Sequence, residues 1–134
     1  MRSAARAAAW AFAAACLAQA SAAVACRCPP PTAARAFRTA DAVVLARVEA
    51  ASGEGSFRRY VLAVERSWKR RRPARLEIRG GIGACAAEFA VGRSYLIYLH
   101  LDRNGAPITS GTCAGNLPAE EAGARIEALG RPLS

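Results

Sequence analysis

Histidine is nearly missing from this chain: His100 is the only one in 134 residues. The histidine-assisted pairs that activate a nucleophile therefore have one candidate base. His100 stands in an alternating apolar stretch, where a packed or solvent-facing role is expected. The adjacent acids Glu120 and Glu121 would point about 100° apart on a helix, so they cannot grip one substrate atom together. The glycine loop Gly80-Gly81-Ile82-Gly83 is followed by no lysine of the kind that contacts a nucleotide phosphate. These gaps argue against an enzyme and call for no cofactor. Lysine is as scarce as histidine, Lys69 being the only one among nineteen basic residues. The formal net charge is still +9, two units of it from Arg2 and Arg6. Arginine and alanine richness reflects genome composition as well as charge, yet the surplus favours anionic surfaces such as polysaccharides or lipid headgroups.

Long apolar runs are also missing beyond the first 25 residues. Those residues have a cationic start, an apolar run from Ala7 to Leu17, and small residues ending in Ala23-Val24-Ala25. The run is too short to span a bilayer, and the pattern reads as a removable secretory signal over residues 1–25. Residues 26–134 are then expected to form one small exported domain with no transmembrane segment, secreted or periplasmic. Nucleic acid is a poor partner for such a chain. Ala18-Gln19-Ala20 and Ala20-Ser21-Ala22 also fit the cleavage rule, and Ala23-Val24-Ala25-Cys26 loosely resembles a bacterial lipobox, which keeps a lipid-anchored form as an alternative.

Cleavage after Ala25 would make Cys26 the first residue and place Cys28 two positions behind it. Cys16 would leave with the signal, so Cys26, Cys28, Cys85 and Cys113 remain, an even set that reads as a disulfide framework in an exported chain. Bonding Cys26 to Cys28 would close a strained ring. Both are expected to reach Cys85 and Cys113, in one order or the other. A bridge over about 60 residues stabilises a chain by roughly 4 kcal/mol in the chain-entropy treatment, which matters for a small core. A zinc site is disfavoured, since no Cys-x-x-Cys occurs and histidine is scarce.

Along the chain, Pro29-Pro30-Pro31 stiffens the start, and Thr32 predicts a helix cap running to about Thr39 that buries Ala36 and Phe37. Strands are expected over 42–49, 57–68, 75–79, 88–91 and 95–101, each from an apolar run or an alternation bounded by turn residues. The run Lys69-Arg70-Arg71-Arg72-Pro73 reads as a solvated hairpin tip and a basic patch beside Trp68. Gly80 to Gly83 reads as a flexible loop delivering Cys85. Asp102-Arg103-Asn104-Gly105 reads as a hairpin turn leading to Ile108. From Pro118 to Leu129 the period changes to that of an amphipathic helix ending before Gly130. Short strands with two flanking helices and no repeat predict an all-β fold, a five-stranded Greek-key barrel of the OB type.

The ordered string Cys26-Arg27-Cys28-Pro29-Pro30, Ala36-Phe37, Ala40-Asp41-Ala42-Val43-Val44, Tyr60 to Val64 before Trp68-Lys69, Leu76-Glu77-Ile78, Cys85 and Thr112-Cys113 carries a family likeness. It resembles the inhibitory N-terminal module of the tissue inhibitors of metalloproteinases, in the netrin-like superfamily, over nearly all of residues 26–134. The resemblance implies an OB-type barrel with bridges Cys26–Cys85 and Cys28–Cys113. It also implies a zinc metalloprotease as partner, since the family's mature N-terminal cysteine chelates the protease's catalytic zinc through its α-amine and carbonyl. Carried over, Cys26 is the chelator, Arg27 enters the pocket beside the zinc, Cys28 and Pro29 line the cleft, and Gly83 and Ala84 form an adjoining ridge. The chain departs from the family at Arg38, where a cysteine is usual, and at Arg27, where a small hydroxyl residue is usual. The other reading is a non-inhibitory binding module that holds anionic polymers or an envelope protein through Lys69, Arg70, Arg71 and Arg72.

Overall fold

Thr32 starts the first helix as its sequence position implies. In the computed structural model, which describes residues 28–54, 58–81, 85–109 and 111–134, its side-chain oxygen accepts from the Arg35 amide at 3.2 Å. Capping of this kind is worth about 1 kcal/mol. The helix, α1, runs Ala33–Thr39 and presses Ala36 inward, while Phe37 is only half-buried. The signal read over residues 1–25, together with Cys26, Arg27, Gly83 and Ala84, lies outside the described residues.

Among the described residues six strands follow: β1 Ala42–Ser52, β2 Arg59–Trp68, β3 Arg75–Arg79, β4 Ser94–Leu101, β5 Pro107–Ile108 and β6 Leu117–Pro118. The sheet order is β1-β2-β3-β5-β4-β6, and β1 also pairs antiparallel with β4. Five strands thus close on themselves into a barrel of the OB type, with β3 and β5 joined in parallel through Arg79 and Ile108. Register shifts between Leu45 and Ala46 and between Val48 and Ala50 bend β1 along β2. Such bulges supply the extra twist that lets so few strands curl shut.

β1 and β4 read as continuous apolar runs because both of their faces are covered. Ala42, Val44, Ala46 and Val48 of β1 meet Tyr95, Ile97 and Leu99 of β4 in the barrel interior. The alternate residues Val43, Leu45, Leu96 and Tyr98 form a second core with Ala36, Trp68 and Ala122 beneath the helices. Each such aliphatic side chain contributes roughly 1.5–3 kcal/mol by leaving water. β3 and most of β2 are covered on one side only, so they keep the alternation, with Tyr60, Leu62, Leu76 and Ile78 inward, while Trp68 at the end of β2 joins the second core.

Two expected elements differ. Residues 88–91 form no strand: Ala87 and Phe89 are buried and alternate with exposed Glu88 and Ala90, but while the Ala87 amide donates to the Gly80 carbonyl, the Ala87 carbonyl and the Phe89 and Ala90 amides bond to side chains. The Tyr60 hydroxyl donates to the Ala87 carbonyl at 3.1 Å and accepts from the Phe89 amide at 3.3 Å, and the Tyr95 hydroxyl accepts from the Ala90 amide at 3.0 Å. Two tyrosines therefore stand in for a neighbouring strand, and the fifth barrel strand is instead the short β5. The expected helix over 118–129 is also divided. Leu117 and Pro118 first bridge β4, a 3-10 turn spans Ala119–Glu121, and α2 occupies only Gly123–Leu129. The division falls at Ala122, which is fully buried under the sheet at φ −91°, ψ 1°.

Candidate functional site

Three segments that are distant in sequence converge at one edge of the barrel. Cys28 is bridged to Cys113 with Cα atoms 5.5 Å apart, the pairing that the resemblance implied. Cys85 is also disulfide-bonded, and Cys26, the partner expected for it, lies outside the described residues. The Thr112 amide donates to the Cys85 carbonyl at 3.1 Å, so the Cys85 loop lies directly against the segment that holds Cys28. Pro29 and Pro30 are exposed on this edge, as are Thr112 and Cys113.

Gly111 makes that approach possible. It sits at φ +71°, and a Cβ there would fall 2.0 Å from the Cys85 carbonyl oxygen. No L-residue with a side chain fits without driving the two segments apart. Asn116 ties the same turn to the barrel. Its amide nitrogen donates to the buried Thr109 hydroxyl at 2.8 Å and to the Gly111 carbonyl at 3.4 Å, while its oxygen accepts from the Tyr98 amide at 2.9 Å. Where the preceding loop begins, Gly80 and Gly81 are buried, and the Gly80 amide donates to the Arg58 carbonyl at 3.1 Å.

On the N-terminal side, Arg125 of α2 reaches the chain just after the proline run. Its guanidinium donates to the Pro31 carbonyl at 2.8 Å and to the Gly115 carbonyl at 3.4 Å. Neither Asn116 nor Arg125 is marked by spacing or by a motif. The one sequence cue is their position next to Cys113 and on the polar side of the last helix.

A concavity of about 310 Å³ flanks this edge, lined in part by Glu88, Phe89, Arg93, Thr112 and Pro118. Arg93 pairs with Glu120 across its rim. The Glu120 carboxyl is held below its usual range, first by a backbone amide and then by Arg93. Both groups stay charged over the physiological range, so the rim carries fixed charges of both signs.

The basic hairpin tip is exposed at Lys69, Arg70 and Arg71, and its lysine is also tied to the neighbouring helix. Lys69, at φ +67°, turns its ammonium onto the end of α1, donating to Phe37 at 3.0 Å, to Arg38 at 3.1 Å and also to Ala40. A cation satisfying the last carbonyls of a helix is favourable both as a cap and against the helix dipole. Arg70 and Arg71 remain exposed. Arg72 is half-buried, with two guanidinium nitrogens that lack an acceptor among the described residues. The tie through Lys69 brings exposed Arg38 of α1 beside the hairpin, a neighbour that the linear run does not reveal.

His100 is half-buried on β4 opposite Ile108. Among the described residues, no three of histidine, cysteine, aspartate and glutamate come together to hold a metal, and no helix is long and apolar enough to cross a membrane. Comparison with protein-family models, curated proteins and solved structures finds no match to this chain.

Proposed function

We propose that this chain is an exported inhibitor of zinc metalloproteases, acting through the α-amine and carbonyl of Cys26 once the first 25 residues are removed. The observation that carries the reading is the convergence of cysteines at one exposed edge, where Cys28 is bonded to Cys113 and Thr112 to the Cys85 carbonyl. A catalytic zinc keeps one position open for water, and a rigid pair of amine and carbonyl donors can displace it. An α-amine has a pKa near 8, so shedding its proton on binding zinc costs little at neutral pH. Fixing the segment beforehand reduces the ordering entropy lost on association. The role of Arg27 follows from the same reading. A long cation beside the zinc selects proteases whose adjoining pocket holds an acidic or solvated end, because an apolar pocket would leave the charge unpaired.

The test compares the mature protein starting at Cys26 with a form carrying one added alanine before it. The mature form slows a zinc metalloprotease and the extended form does not. Equal behaviour of the two removes the mechanism.

A second reading is favoured by the cluster of Arg38, Arg70 and Arg71 around Lys69, which presents several exposed cations with the Arg66–Trp68 stack nearby, its centres 5.7 Å apart. On this reading the domain holds anionic polysaccharide. Retention on a heparin column then falls with salt, and falls further when Arg38, Arg70 and Arg71 become alanine. Retention indifferent to those substitutions removes it.

A further inference from the structure

We infer that Arg125 is a positioning residue for the N-terminal segment, a second clamp that works beside the Cys28–Cys113 disulfide. The inference rests on the inhibitory reading for its functional consequence, but its structural content is independent of that reading.

The bridge alone joins Cys28 to Cys113 at a single point. Disulfides act at or before Cys28, and Cys85 is bonded as well; beyond Cys28 the chain can still pivot, because Pro29 and Pro30 have no amide hydrogen with which to anchor themselves. Three residues after Cys28, the Pro31 carbonyl accepts from Arg125 at 2.8 Å. Two residues after Cys113, the Gly115 carbonyl accepts from the same guanidinium at 3.4 Å. The two segments leaving the disulfide are thus joined again by one planar group, and the proline run is held at both ends.

Arginine suits this task because its fork offers parallel donors in a fixed geometry, whereas lysine offers one flexible point charge. The platform behind it is firm. Fully buried Ala122 seats the start of α2, and its carbonyl accepts from the Ile126 amide at 2.9 Å. At the far end, the Trp68 indole donates to the Gly130 carbonyl at 3.0 Å and fastens the helix to β2. The helix that the sequence offers as an amphipathic cover therefore also carries the brace for the opposite terminus.

The experiment uses the mature protein and the variants Arg125→Ala and Arg125→Lys, with two readouts. The first is the inhibition constant against a zinc metalloprotease that the mature protein inhibits. The second is the ¹³C-detected NMR order parameters of Pro29 to Pro31, which need no protease. For Arg125→Ala, order parameters are expected to fall from about 0.85 to below about 0.6 at these prolines while the barrel strands stay rigid. The inhibition constant is expected to rise about tenfold, because the segment must then be ordered on binding. Arg125→Lys should fall between, and it decides the matter if the alanine variant does not fold. Unchanged proline order overturns the clamp. Lost order with an unchanged inhibition constant overturns the positioning role. A mature protein that inhibits no metalloprotease overturns the inhibitory reading instead, and the NMR arm still decides the clamp.

Discussion

Replacing Gly111 by alanine tests the contact on which the converging edge depends. The substitution carries two separable penalties. An alanine at φ +71° lies in the left-handed region, at roughly 1–2 kcal/mol. Its Cβ would also stand 2.0 Å from the Cys85 carbonyl oxygen, with the carbonyl carbon at 3.0 Å. Backbone atoms have no rotamer into which to retreat, so the turn must move, with an overpacking cost of about 1–3 kcal/mol. The sum, about 2–5 kcal/mol, corresponds to a fall in Tm of at least about 8 °C for a domain of this size. Gly92→Ala is the matched control, because Gly92 has a similar φ of +88° with nothing within 4 Å of its added Cβ. That variant should lose only the backbone part, about 1–2 kcal/mol. Thermal unfolding followed by circular dichroism under non-reducing conditions measures both. Equal shifts for the two variants would refute the argument that the Cys85 and Gly111 backbones are in obligatory contact.

Tyr60→Phe should destabilise the fold by about 2–4 kcal/mol in urea titration, since it leaves the buried Ala87 carbonyl and Phe89 amide without their hydroxyl partner; a loss below 0.5 kcal/mol, a threshold on the order of a surface substitution, would count against the tyrosine-for-strand account. Lys69→Met should lower stability by about 1–3 kcal/mol through the uncapped end of α1, whereas Arg70→Ala and Arg71→Ala should leave Tm nearly unchanged; similar losses at all three positions would contradict the distinct role of Lys69. Asp102 is held below the usual carboxylate range, first by the Ala106 amide and also by the Asn104 amide and Arg79. Its contribution to stability is therefore present above the unfolded-chain value of about 3.9 and is lost as pH falls through the lower folded value. Asp102→Asn should accordingly be less stable than the parent at pH 7, with the gap closing in acid; a gap independent of pH in denaturant titrations would sink this assignment.

Much of the barrel is written in local pattern. Alternation in Tyr60-Val61-Leu62 and Leu76-Glu77-Ile78 assigns one face of β2 and β3 to the interior, because successive side chains of a strand point opposite ways. Thr32 and the Asn104-Gly105 pair announce a helix start and a turn through chemistry that acts within four residues. In that turn the Asp102 carboxylate accepts from the Asn104 and Ala106 amides, at 2.8 and 2.9 Å. The alternation across 88–91 was equally legible and equally real as burial, but burial does not name the hydrogen-bond partner. Tyrosine hydroxyls from β2 and β4 took the place that a neighbouring strand would have filled.

What the sequence by itself determined is the four longer strands β1 to β4 with their inward faces, the helix cap and the even set of cysteines in residues 26–134, since each depends on the side-chain period, on a neighbour within a turn, or on composition. Tertiary structure alone decided the closure through two-residue β5, the lodging of Lys69 on α1, and the grip of Arg125 on Pro31 and Gly115. Arg125 and Pro31 are 94 residues apart in the chain. No local pattern encodes such a meeting, because it exists only after the barrel has brought both ends of the domain to the same edge.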